Sequence, residues 1–353
     1  GLMQNGNVMA NIRDVARHAG VSVSTVSNVL NGRVDQMRKD TLARIEQAMA
    51  ALQYQPNRAA QQLKTGQVKM LGLLVPSIVN PSFAALVREI ELAAKQNYGY
   101  QVLLGDTHRQ QEEEIRFLDD LLALGIRGVV VASTFYDRPH FRDALKRGLV
   151  MINYDERTLA ATGEAALPID SVSMDNCAAG SMAAQHLIVQ GCRRIAFATA
   201  SGMTSSRANK IAGYRQALEN AGLPAWVIEG KAQFAYGDAE MAELGKTLAE
   251  QICQSETRPD GIVALNDMLA IGMISSFQRL GVRVPEDISV VGIDNMFLSE
   301  LFNPALSSVA PPLREMAVKI VDRLMGRLEN PELPVEEFLF APSLVRRQSV
   351  INT

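Results

Sequence analysis

A few polar and aromatic residues lie just beyond short apolar runs. Asn80 and Phe83 follow MLGLLV (70–75), Asp155 follows VMINY (150–154), Asn266 follows GIVAL (261–265) and Asp294 follows ISVVGI (288–293). A carboxylate at a strand end can hold vicinal hydroxyls through paired hydrogen bonds, and Phe83 with Phe234 can cover an apolar ring face. The same residues have a plainer use, because Asn and Asp after a strand commonly cap the next helix. Catalytic chemistry finds less support. His18, His108, His140 and His186 are scattered, and Cys177, Cys192 and Cys253 stand far apart without CxxC spacing. Surface or packing roles are expected for the histidines and packing as reduced thiols for the cysteines, with neither metal nor coenzyme. An enzyme on a dinucleotide-binding fold would carry a Gly-rich loop after its first strand, and LLVPSIVNPSF has no glycine.

A second set of short side chains lies near the start, in VSVSTVSNVLN (21–31). Ser24 and Asn28 can hydrogen-bond base edges, Val23 can touch a thymine methyl, and Ser22, Thr25, Ser27 and Asn31 can bond phosphates. Charge agrees with that chemistry. Residues 1–67 hold eight Lys/Arg against four Asp/Glu, or +4; the rest hold 27 against 34, or −7, and together they give the net −3. A basic module thus precedes an acidic one, and only the first suits an anionic partner.

These side chains need particular elements to present them. Val15, Ala16 and Ala19 form one apolar stripe and Val21, Val26, Val29 and Leu30 another, so two short helices are expected, with Gly20 ending the first and Ser22 capping the second. A third helix at about Lys39 to Leu52 closes the core through Leu42, Ile45, Met49 and Leu52. This pattern is a helix-turn-helix. Asn57 then caps a segment of about seven residues from Arg58 to Lys64, too short to be a stable helix alone. It is expected to become helical on DNA, with a plain flexible tether as the alternative.

From Lys69 short apolar runs alternate with amphipathic helices, as in parallel sheets covered on both faces. QVLLG (101–105) and GVVVA (128–132) join the first set of strands; RIAFAT (194–199), GIVAL and ISVVGI make a second. Two α/β subdomains with a ligand cleft at the strand C-termini are the economical reading. A composition 47% apolar and 21% charged excludes disordered and fibrous classes. The first residues, GLMQNGNVMANIRD, lack the pattern of an export signal, and no apolar run reaches eighteen residues, so a cytoplasmic protein is expected. A plain export-coupled sugar-binding protein would show the reverse, a signal peptide and no helix-turn-helix.

VARHAGVSVSTVSNVLN followed by LQYQPNRAAQQL resembles the lactose-repressor and galactose-repressor family of bacterial transcription regulators, and the resemblance runs over essentially the whole chain from Asn11. It implies an α/β fold in which a three-helix head (10–56) and a hinge helix with its linker (57–67) precede a periplasmic-binding-protein-like body (68–353). Within the body, subdomain N is expected at about 68–168 plus 300–330 and subdomain C at about 169–299 plus 331–353. The resemblance also implies that a ligand, most often a sugar or its derivative, controls the affinity of a repressor for its operator. DNA contacts then extend through Tyr54, Asn57, Arg58 and Ala60 to Leu63, the counterpart of a leucine wedged into the central base step. NPSF, YDER, ALNDMLAIG and ISVVGIDN stand where relatives contact their effector, and Asp155, Asn266 and Asp294 match in type. One departure is Lys210, three residues before Gly213 and Tyr214, where many relatives carry arginine. Lysine supplies a point charge in place of a bidentate fork. No heptad repeat follows LVRRQSVINT, so a homodimer on a pseudo-palindromic operator is expected.

Overall fold

The computed structural model describes residues 8–59, 62, 66, 68–132, 139–155, 167, 169–202, 204–231 and 238–352. The chain divides into two units, Gly1–Val68 and Lys69–Thr353.

In the first unit, α1 (Ile12–Ala19), α2 (Val23–Leu30) and α3 (Lys39–Ala51) enclose a small core. Val15, Ala16, Ala19, Val26, Ile45 and Ala48 are buried in it, with Val21, Met49, Leu52 and Tyr54 packed partly against them. Helix α1 stops because Gly20 adopts the left-handed conformation (φ 69°), which lets the Val21 N–H reach back to the Ala16 carbonyl at 3.0 Å.

The second unit holds two six-stranded sheets. The first contains β1 (Met70–Val75), β2 (Gln101–Asp106), β3 (Gly128–Val131), β4 (Val150–Tyr154), β5 (Asp170–Met174) and β11 (Glu337–Phe340) in the order β11-β5-β4-β3-β1-β2. All its pairings are parallel. The second contains β6 (Ile195–Ala200), β7 (Trp226–Gly230), β8 (Gly261–Ala264), β9 (Ser289–Ile293), β10 (Ser307–Ala310) and β12 (Ser343–Val345) in the order β12-β10-β9-β8-β6-β7. Only β12 runs antiparallel to its neighbour. The two orders are the same walk through the chain, so each lobe repeats the other's topology.

The helices that matter for the cleft are α4 (Pro81–Tyr98), α7 (Asn176–Val189), α8 (Ser205–Asn220), α10 (Asp267–Arg279) and α11 (Phe297–Leu301). α5 (Gln111–Ala123), α6 (Pro139–Lys146), α9 (Asp238–Gln254) and α12 (Leu313–Glu329) complete the layers among the described residues.

The lobes share the chain differently from the expected subdomain boundaries. β5 (170–174) and β11 (337–340) belong to the first sheet, and β10 (307–310) belongs to the second. The connection thus crosses between lobes after β5, after β10 and after β11. β5 and β10 escaped the sequence reading because DSVSM and SSVA are not apolar runs, although Ser171, Ser173, Ser307 and Ser308 are all buried. Their hydroxyls find partners inside: Ser308 Oγ donates to Asp267 Oδ1 at 2.7 Å, and Ser307 Oγ accepts from the Arg347 N–H at 2.8 Å.

Candidate functional site

In the head, Asn11 and Asp14 form a reciprocal capping box that starts α1, a device not noticed in the sequence although Asn-x-x-Asp before an apolar stripe is its signature. Ser22 Oγ accepts from the Thr25 N–H at 3.1 Å and lies 2.7 Å from the Thr25 hydroxyl, so the cap of α2 is as expected. Val23, Ser24 and Asn28 are exposed, Thr25 and Ser27 are half-buried, and Val26 points into the core. Asn31 is exposed, with its amide 3.4 Å from Ser27 Oγ. The first turns of α2 therefore present the short polar side chains on one accessible face. Tyr54 is half-buried against the head core, while Asn57 and Arg58 are exposed and Asn57 Oδ1 accepts from the Ala59 N–H at 3.1 Å. Ala60 and Leu63 lie outside the described residues.

In the body, the cleft is built from the ends of strands in both lobes. Asp155 follows β4 with φ 67°, its N–H donating to the Val172 carbonyl at 2.9 Å and its Oδ1 lying 3.4 Å from both Ser173 Oγ and Asn176 Nδ2. Asp294 follows β9 with φ 110°, and its N–H donates to the Val309 carbonyl at 2.9 Å. Asp294 belongs to the second lobe, yet its Oδ2 accepts from Ser82 Oγ of the first lobe at 3.2 Å. Loss of solvation raises the Asp155 carboxyl above its ordinary value, with Lys210, Asn176 and Ser173 acting against it. Asp294 is pushed up to about 6, first by desolvation and then by the neighbouring Asp155, while Lys210 and Ser82 pull it down. Tyr154 is held well above its usual value by burial, then by the two carboxylates.

Lys210 completes the group. It extends from α8, is only 6% exposed, and makes no hydrogen bond or ion pair among the described residues, although both carboxylates feel its charge. The close approach of α7 and α8 puts it there. A Cβ on Gly213 would sit 1.8 Å from the Cys177 carbonyl oxygen, and one on Gly180 would sit 1.9 Å from the carbonyl oxygen of Lys210 itself. Glycines at both positions let the two helix backbones touch beside Lys210, whose charge acts on both carboxylates. Tyr214 anchors the same helix, its hydroxyl donating to the Ile195 carbonyl at 2.5 Å and accepting from the Trp226 N–H at 2.9 Å.

The remaining candidates divide. Asn80 caps α4, its Oδ1 accepting from the Ser82 N–H at 2.9 Å, and Asn266 caps α10, its Oδ1 accepting from the Leu269 N–H at 2.9 Å. The capping use is therefore real for both, and what remains for a ligand is the NH2 of each half-buried amide. Phe83 is half-buried against the body core, and Phe234 lies outside the described residues. The sequence reading missed Ser82 and Tyr154 as cleft residues. The signal was present, since Ser82 stands in the same NPSF as Asn80 and Tyr154 immediately precedes Asp155.

Two carboxylates and one ammonium, desolvated but held apart, suit the grip of a molecule that offers both donors and acceptors. Among the described residues no group of three His, Cys, Asp or Glu side chains could hold a metal ion. No described helix is long and apolar enough to cross a membrane.

A helix-turn-helix head followed by a two-lobed binding body defines a class of ligand-responsive transcription regulators. The chain belongs to the lacI family of bacterial regulatory proteins, whose model matches residues 11–57, and a periplasmic binding protein-like domain matches residues 184–350. It is 32% identical to the HTH-type transcriptional regulator DegA of Bacillus subtilis over 97% of this chain and 99% of that one. Among solved structures it resembles the lac repressor dimer bound to operator and the anti-inducer ONPF (TM-score 0.83, 25% identity, 98% of this chain and 100% of that one). It also resembles the transcriptional regulator CelR in complex with cellobiose (TM-score 0.69, 26% identity, 96% of this chain and 99% of that one).

Proposed function

We propose that this chain is a transcriptional repressor whose grip on operator DNA is set by a small polyhydroxylated ligand, a sugar or sugar derivative, held between the lobes. The observation that carries the ligand class is the convergence of Asp155 from one lobe and Asp294 and Lys210 from the other. The carboxylates accept hydroxyl protons, the ammonium donates to a ring or hydroxyl oxygen, and Asn266 adds an amide donor. A ligand that joins residues of both lobes favours one lobe arrangement over another, which is the condition for it to switch anything.

The head (10–56) reads DNA in this proposal. Ser24 and Asn28 address base edges, Val23 a thymine methyl, and Ser22, Thr25, Ser27 and Asn31 the phosphates. Tyr54, Asn57, Arg58, Ala60 and Leu63 extend the contact through the linker (57–67), with Leu63 as the wedge. The protein acts as a homodimer on a pseudo-palindromic site, in the cytoplasm, and binds its ligand without transforming it. CelR in complex with cellobiose and a LacI family transcriptional regulator from Enterococcus faecium with bound ribose are similar structures that hold sugars.

The test is a thermal-shift screen of the full chain against D-ribose, cellobiose, fructose 6-phosphate and hypoxanthine, paired with selection of double-stranded DNA at low salt. A neutral sugar that raises the melting temperature and changes operator affinity supports the proposal. A purine that does so while no sugar binds overturns the ligand class, and failure to select any DNA sequence overturns the repressor.

A further inference from the structure

Asp267 is a buried carboxylate outside the set described above, and its bonds run to the segment that carries Asp294 and to Ser308 on the neighbouring strand β10. It stands at the start of α10, 0% exposed. Its Oδ2 accepts from the Met296 N–H at 3.0 Å and from Ser299 Oγ at 2.5 Å, and its Oδ1 accepts from Ser308 Oγ at 2.7 Å. Ser308 Oγ in turn accepts from the Asn295 N–H at 2.9 Å. Asp267 thus reaches two successive amides of the turn after β9, one directly and one through a hydroxyl.

That turn needs holding. Asp294 has φ 110° and Asn295 φ 50°, conformations that L residues adopt rarely and that persist only where the surroundings fix them. Arg347 adds a tie from the C-terminal segment, its Nη2 donating to Asn295 Oδ1 at 2.6 Å. β9 leaves room for the carboxylate, because Gly292 lies where a Cβ would come within 2.2 Å of Asp267 Oδ1. With all three amides of 294–296 engaged, the Asp294 side chain is aimed across the cleft at Ser82.

We propose that Asp267 is a positioning residue that locks the Asp294–Met296 turn and so aims the Asp294 carboxylate into the cleft between the lobes. The inference deepens the effector-site reading and rests on it only for the meaning of Asp294, since the lock itself is a property of the ligand-free protein. An aspartate is suited to the place because it accepts on both sides; the amide of Asp267→Asn supplies an oxygen on one side only.

The experiment uses the full chain without ligand. Asp260→Asn is the control: Asp260 is also tied to backbone, accepting from the Arg193 and Arg194 N–H groups at 2.8–3.1 Å, but it stands at the other end of β8. Hydrogen exchange followed by mass spectrometry is expected to show at least tenfold faster exchange across 294–299 in Asp267→Asn and unchanged exchange there in Asp260→Asn. A double-mutant cycle adds a readout that generic destabilisation does not move. Ser82→Ala should lower the urea midpoint by the same amount in wild type and in Asp260→Asn, and by less than half as much in Asp267→Asn, because Ser82 bonds Asp294 and Asp267 holds the turn that carries Asp294. An equal Ser82→Ala shift in all three backgrounds, zero included, or unchanged exchange at 294–299 in Asp267→Asn, overturns the proposal. Should Asp267→Asn not fold, Ser308→Ala removes one tie of the same network, and unchanged exchange at Asn295 in that variant overturns it equally. No readout involves an effector, so failure of the sugar screen and failure of this lock are distinguishable.

Discussion

Asp155 and Asp294 occupy the same place in the two lobes. Each follows the strand third from the edge of its sheet, each has positive φ (67° and 110°), and each donates its N–H to the next strand at 2.9 Å, to Val172 and to Val309. The repeated topology therefore delivers one carboxylate from each side of the cleft, and Lys210 lies where it acts on both. The lobes already touch there through Ser82 and Asp294, so a ligand that takes the Asp294 carboxylate must displace a hydroxyl supplied by the other lobe.

Asp294→Ala is expected to abolish the effector response while operator binding survives, because the proposed DNA contacts lie in the head and linker. Losing a charged acceptor costs roughly 1.5 to 3 kcal/mol, or about ten- to more than a hundredfold in affinity. Calorimetric titration with the ligand identified by the sugar screen, followed by an operator shift assay, checks both halves. Unchanged ligand affinity in the folded variant would move the site elsewhere.

Effector affinity should fall on acidification below about pH 6, where Asp294 takes up a proton and becomes a poorer acceptor. Stability should move the other way. Asp294 and Asp267 have folded values of about 6 and about 7 against 3.8 ordinarily, so each favours the fold most at low pH and loses that contribution as pH rises through its folded value. Each titrating group changes stability by at most about 1.4 kcal/mol per pH unit. Buried His186, whose value is lowered by desolvation and then by Arg346, opposes them below its ordinary 6.5. The urea midpoint measured from pH 8 to 5 should therefore depend less favourably on acid in Asp267→Asn than in wild type. Parallel curves would count against a raised Asp267.

Gly213→Ala should destabilise the body and weaken effector binding together, since its Cβ would lie 1.8 Å from the Cys177 carbonyl oxygen and must push α8, and Lys210 with it, away from α7. Overpacking of this kind costs about 1 to 3 kcal/mol or more. Chemical denaturation and titration of the same variant report the two effects. Full stability would show that the helices separate easily.

Ser22→Ala removes the cap of α2 and should cost about 1 kcal/mol of head stability, with a loss of operator affinity. Thermal melting of the full chain and operator titration at fixed salt measure it. Salt belongs in the same experiment. With about six phosphates neutralised per dimer, the log-log salt slope should be roughly −5 and nearly unchanged in a variant that keeps its basic residues.

The head was legible because its determinants are local. Gly20, Ser22 and the stripes at Val15, Ala16, Ala19 and Val26 act within a few residues of one another, and the structure places them as their chemistry dictates. The apolar strands of the body were legible for the same reason, hydrophobic runs being a local signal of two-sided burial. Asp155 and Asp294 could be picked out, since they end such runs. The tertiary structure decided what no local pattern encodes. β5 and β10 are buried strands written in serine, stabilised by partners as distant as Asp267 and Arg347. Asn80 and Asn266 proved to be helix caps. The bond between Ser82 and Asp294 joins residues 212 positions apart, and glycines on α7 and α8 permit the backbone contact at Lys210. Residue type and periodicity fix which groups a strand end or helix start can offer. Which of those groups converge, and which are consumed by capping, depends on contacts between segments that the chain brings together only when both lobes have formed.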